Sequence, residues 1–191
     1  KILKEELLPA MGCTEPIAIS YAAAVARKTL GAVPERLLIE VSGNIIKNVK
    51  SVVVPNTNGL KGIKAAAAAG IIAGDASKHL EVISSVSAEK KAEICRYMDN
   101  IEIEVSPADT QLIFDIIISA YYGKYYAKVR IANAHTNIVL IEKDGKTLFS
   151  KTATDESESG VTDRSFLSVK LILDFANSVD IKDVKELLDR Q

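Results

Sequence analysis

"QLIFDIIISAYYGKYYAKVRIAN", residues 111–133, holds two runs of β-branched and aromatic residues on either side of Gly123-Lys124. Such runs favour a pleated, half-buried surface, and a short glycine-containing turn between them predicts a β-hairpin. The same pattern extends both ways. "IEIEVS" (101–106) alternates apolar and polar residues, and "NIVLIEKDG" (137–145) meets "KTLFSKT" (146–152) at a second turn, Asp144-Gly145. Residues 101–152 therefore read as an antiparallel meander.

Outside this region helical patterns dominate. Residues 1–8 read as the end of a helix stopped by Pro9. "PIAISYAAAVARKTL" (16–30) reads as a helix with Pro16 at its first position, Glu15 at the positive end of its dipole and Gly31 closing it. "RLLIEVS" (36–42) and "SVVVP" (51–55) are β-rich, with "GNIIKNVK" between them as a helical turn. "GLKGIKAAAAAGIIAG" (59–74) is an alanine-rich helix whose small side chains permit close packing. "AEKKAEICRYMDN" (88–100) is amphipathic, with Ser87 as its cap and Ala92, Ile94, Cys95 and Met98 as its expected inner face. "RSFLSVKLILDFANSV" and "IKDVKELLDR", the second capped by Asp180, finish the chain. The expected class is α+β or α/β: a central, mainly antiparallel sheet of about four or more strands, with helices at both ends. Residues 1–191 read as one domain, with a possible sub-boundary at the polar, acidic stretch 153–162.

Composition excludes several roles. There are 24 basic and 25 acidic side chains, and aromatic residues make up 5% of the chain without a tryptophan. Neither a basic footprint nor a stacking platform for nucleic acid is present. The most apolar tract, "GIKAAAAAGIIAGD" (62–75), carries Lys64 and is shorter than the roughly 20 residues a spanning helix needs, so no membrane association is expected. "KILKEELLPA" does not read as a signal peptide. Two cysteines far apart do not make a disulfide framework. These readings together give an expected cytoplasmic location.

Four places can carry chemistry. "PAMGCTEP" (9–16) sets Cys13 at a helix N-terminus, where unpaired backbone N–H groups and the helix dipole stabilise a thiolate. A lowered thiol pKa would suit a nucleophile or a metal ligand; the structural alternative is a small buried apolar residue. "VVVPNTNGLKG" (52–62) presents Asn56, Thr57, Asn58 and Gly59 between a strand and a helix, a place that binds anions such as carboxylates, or is a plain turn. His135, Thr136 and Asn137 of "ANAHTNIVL" sit at the mouth of a strand, as pocket lining or as a hydrogen-bonded turn. "SGNIIKN" (42–48) is a weaker polar turn. Cys95 reads as core and His79 as surface. No zinc-like spacing and no Walker loop occur.

"GCTEP", "VPNTNGLKG" with the alanine-rich helix after it, and "AHTNIVLIEKDG" together resemble the N-terminal half of the L-cysteine desulfidase (cysteine desulfhydrase-like) family. That family is related to the α-chain of iron–sulfur L-serine dehydratases, and the similarity runs from about residue 5 to about residue 178. The resemblance implies a lyase that uses a [4Fe–4S] cluster and no pyridoxal phosphate. It would release ammonia and pyruvate from a small amino acid, with sulfide when the substrate is L-cysteine. It further implies that Cys13 is a cluster ligand. Glu15, Asn56, Thr57, Asn58 and Gly59, with His135, Thr136 and Asn137, would line the substrate pocket. The catalytic base is not identified by it. A cluster takes three or four thiolates, so the other ligands would come from a missing C-terminal half or a partner subunit. The chain alone would be inactive, and its uncovered apolar face would make it a homo-oligomer. Two other readings stay open: a non-catalytic small-molecule-binding or regulatory module, and a thiol enzyme with Cys13 as nucleophile and His135 as base.

Overall fold

The computed structural model describes residues 2–7, 10–153 and 162–189. It divides into two compact units, Ala10–Asp155 and a second made of Lys1–Pro9 with Glu156–Gln191. Pro9 and most of the acidic stretch 153–162 lie outside the described residues.

The larger unit is built on a six-stranded, mostly antiparallel sheet in the order β2-β1-β3-β4-β5-β6. Its strands are β1 (Arg36–Val41), β2 (Glu102–Pro107), β3 (Asp115–Tyr122), β4 (Tyr125–Ala132), β5 (Ile138–Lys143) and β6 (Lys146–Ser150). The expected α+β class, with a mainly antiparallel central sheet, is the fold observed. The hairpin at 111–133 forms as the sequence predicts, with Tyr122 opposite Tyr125. Gly123 has φ 54°, the positive value a type II′ turn requires at its first position. Asp144 (φ 51°) and Gly145 (φ 80°) both lie in the left-handed region, as a type I′ turn requires. The one parallel pairing, β1 with β2, needs a crossover. Residues 43–100 supply it: α3 (Gly43–Val49), α4 (Gly62–Ala73), a 3-10 turn (Ala76–Glu81) and α5 (Ala88–Asn100).

Along β1, Leu37, Ile39 and Val41 are buried while the residues between them are half-buried. The period of two gives the sheet one apolar face, continued by Ile116, Ile118, Val129 and Ile131. Helix α2 (Thr14–Leu30) packs over β3, β4 and β5 and is covered in turn by α4. That double coverage explains why residues 16–26 are buried on every side of the helix. The helices approach closely. The Ser20 hydroxyl donates to the Ala66 carbonyl at 2.7 Å, and a Cβ on Gly70 would run into the Ser20 carbonyl. Gly31 (φ 86°) closes α2 with its N–H on the Arg27 carbonyl.

Three local expectations are corrected. Helix α2 begins at Thr14, so Pro16 occupies its third position, where the backbone N–H would still lack an intrahelical acceptor. "SVVVP" makes no strand: it contributes the single bridge Val53–Lys61, because the chain doubles back through left-handed Asn56, Asn58 and Gly59. Cys95 is exposed rather than core, and so is Ala92. The inner face of α5 is carried by Ile94 and Tyr97, with Met98 against the core. Tyr97 is buried because its hydroxyl finds the Pro34 carbonyl at 2.8 Å.

The smaller unit holds α1 (Ile2–Glu6), α6 (Val169–Ser178) and α7 (Ile181–Leu188). The Thr162 N–H and hydroxyl donate to the two Glu5 carboxylate oxygens at 3.1 and 2.6 Å. Ser168 and Asp180 cap α6 and α7 by accepting from the Leu171 and Lys182 N–H groups.

Candidate functional site

The first turn of α2 is the centre of the candidate site. Gly12 (φ 126°) leads the chain into it, and a Cβ there would lie 3.6 Å from Pro55 Cγ. Gly12 therefore lies beside Pro55, at the start of the loop that carries Asn56 to Gly59. Cys13 is the N-cap residue, yet its side chain makes no cap hydrogen bond. The thiol is exposed and donates to Glu15 Oε2 at 3.1 Å.

Glu15 links three elements. Its carboxylate accepts from Cys13, and its charge is further favoured by His135 from the β4–β5 loop and, least, by Asn48 at the end of α3. The Cys13 bond is the largest influence and holds the Glu15 carboxyl below the usual carboxylate range. The effect on Cys13 is opposite. Partial burial, then the bond and charge of Glu15, push the thiol above its ordinary value; the Glu15 N–H pulls it back in part. The expected lowering of this thiol is therefore corrected: partial burial first, and then the Glu15 carboxylate, outweigh the helix N-terminus. The thiol also donates to Glu15 rather than to His135, which leaves the nucleophile-and-histidine-base arrangement unformed.

His135 is half-buried, its ring edge-on to Phe114 with centroids 4.6 Å apart. Burial lowers its pKa and the Glu15 charge opposes this, so the neutral imidazole is favoured. Its loop is closed by Asn137, whose side-chain amide donates to the Ala132 carbonyl at 2.8 Å. Thr136 stands beside it, half-buried, with its carbonyl accepting from the Ile138 N–H.

Cys13 and Glu15 thus share a hydrogen bond, and the charges of Glu15 and His135 influence each other. Thr57 is buried, its hydroxyl donating to the Val54 carbonyl at 2.7 Å. Asn56 donates to the carbonyls of Ile83 and Ser84 at 3.0 and 3.3 Å. Thr57, Asn56 and Asn137 thus shape loops with their polar groups, while Asn58 and Gly59 are exposed. Two residues enter that the motifs did not single out. Asn48 belonged to the polar turn 42–48, and Phe114 lay unmarked in the run before β3. His79 is exposed in the 3-10 turn, its ring 5.2 Å from that of Tyr21.

A cluster takes three or four thiolates, and the described residues place one exposed thiol, Cys13, at a helix start. Among the described residues no group of three or more His, Cys, Asp or Glu side chains is arranged to hold a metal ion. No described helix is long and apolar enough to cross a membrane.

The chain is 60% identical over 190 residues to a UPF0597 protein of Desulfitobacterium hafniense. It is 48% identical over 190 residues to a UPF0597 protein of Lachnoclostridium phytofermentans, and 45% identical over 192 residues to one of Treponema denticola. Each match takes in 100% of this chain but 44%, 45% and 44% of the respective relative. The chain therefore spans less than half the length of the curated relatives it matches. No family model and no solved structure matches it.

Proposed function

We propose that this chain is part of an iron–sulfur-dependent amino-acid lyase of the L-cysteine desulfidase or L-serine dehydratase type. In this reading Cys13 is one cluster thiolate and the remaining thiolates come from residues outside these 191. The observation that carries the reading is the exposed Cys13 thiol at the start of α2, hydrogen-bonded to Glu15.

When bound, a cluster with an open iron would supply Lewis-acid polarisation of the departing thiol or hydroxyl. Cys13 would hold the iron as its thiolate, and Glu15, with no thiol proton to accept, would be available to the substrate ammonium group. His135, held neutral by burial, is suited to take a proton from the substrate α-carbon. The exposed Asn58 amide and the backbone at Gly59 offer donors to the substrate carboxylate.

The test is anaerobic reconstitution of the longer Desulfitobacterium hafniense relative with iron and sulfide, then assay of pyruvate from L-cysteine and from L-serine. The reading predicts pyruvate from one of the two without added pyridoxal phosphate. A reconstituted protein that binds amino acid but forms no pyruvate would support a binding module instead.

A further inference from the structure

Within the smaller unit, the described residues leave the apolar surface of α6 uncovered by the unit's own helices. In α6, Val169, Ile172, Leu173 and Phe175 are 85%, 54%, 59% and 49% exposed. Leu171 joins them, as do Phe166 and Leu167 just before the helix; no residue of α6 is buried. Placed at 3.6 residues per turn, the apolar residues cover an arc of roughly 200°, twice the width that a helix resting on one core requires. Lys170, Asp174 and Asn177 fill the narrower remainder. In α7, Ile181 and Leu188 are exposed on one side while Leu187 is buried.

A ten-residue helix does not hold itself together in water and needs packing on its apolar face. A lipid surface is a poor occupant, because α6 pairs one Lys with one Asp and has no basic face. The relatives point to a better one. Their matches take in all of this chain, α6 and α7 included, yet more than half of each relative lies beyond the match.

We propose that the apolar face of α6, with the exposed side of α7, is the surface on which the remainder of the longer polypeptide docks. That remainder would present an apolar groove to Ile172, Leu173 and Phe175, leaving Lys170 and Asp174 in water. The inference rests on the exposed face and the relatives' length, not on the lyase reading, and holds or fails independently of it.

The test uses the full-length Desulfitobacterium hafniense relative. A photoactivatable benzoylphenylalanine is placed, in separate variants, at the positions aligned with Ile172 and Phe175, and cross-linked peptides are mapped by mass spectrometry. Cross-links from both positions to peptides outside the matched region are expected. Cross-links confined to the matched region, whether within one chain or to a second copy, would overturn the proposal. Solvent adducts alone from both positions would overturn it by showing the face uncovered.

Discussion

The Cys13 thiol donates to Glu15 Oε2 across 3.1 Å, two residues into the same helix start. Partial burial raises this thiol most, and the carboxylate adds to it by stabilising the protonated thiol and repelling the thiolate. Replacing Glu15 by Gln removes the charge and the stronger acceptor. The expected outcome is a lower midpoint in the pH dependence of Cys13 alkylation, read by peptide mass spectrometry to separate it from Cys95. An unchanged midpoint would place the cause in burial alone.

His135 supplies a pH dependence of stability. Its folded pKa lies below the unfolded value, so the unfolded chain binds the proton more readily. Stability from this group is therefore full above the unfolded value of about 6.5 and falls as the pH drops below it. Urea unfolding of His135→Gln should show a shallower loss of stability than the parent over that window. Equal slopes would mean that His135 titrates as it does in water.

Gly70 is where α4 meets the backbone of α2. Gly70→Ala should cost about 3 kcal/mol in chemical denaturation, since backbone rather than a flexible side chain must move. Gly43→Ala, where an added Cβ meets nothing within 4 Å, is the control.

Arg130 holds the fully buried Asp115 through two bonds, 2.9 and 2.6 Å. Arg130→Met strands that carboxylate at the start of β3, next to Phe114. A loss of about 2–3 kcal/mol is expected, with weaker contact between Phe114 and His135, visible as a shifted His135 ring resonance.

Much of this architecture was legible in the sequence because local chemistry and tertiary need agree. The two hairpin turns, the Ser87 and Asp180 caps and the α2 termination at Gly31 are all written in residue type and observed in place. Of the residues that the motifs single out, Cys13 and Glu15 are joined by a hydrogen bond. The face of α5 was misread because Tyr97 counts as half polar in a pattern, while a single acceptor at Pro34 lets it bury. Cys95 therefore turns outward, and Cys95→Ala should change stability by no more than about 0.5 kcal/mol. Polar loop residues posed the other difficulty. Nothing in "PNTN" or "HTN" says which side chains face outward, and Thr57 and Asn137 prove to bind their own backbone. Asn48 and Phe114 reach the site through long-range packing that no local motif encodes.

The central claim is that the sulfur of Cys13 binds iron. Its most direct test is the iron content of the Desulfitobacterium hafniense relative after anaerobic reconstitution, with and without Ser at the position aligned with Cys13. The account predicts that the Ser variant retains less iron and loses the visible absorption of the cluster. Undiminished iron and absorption in that variant would contradict it.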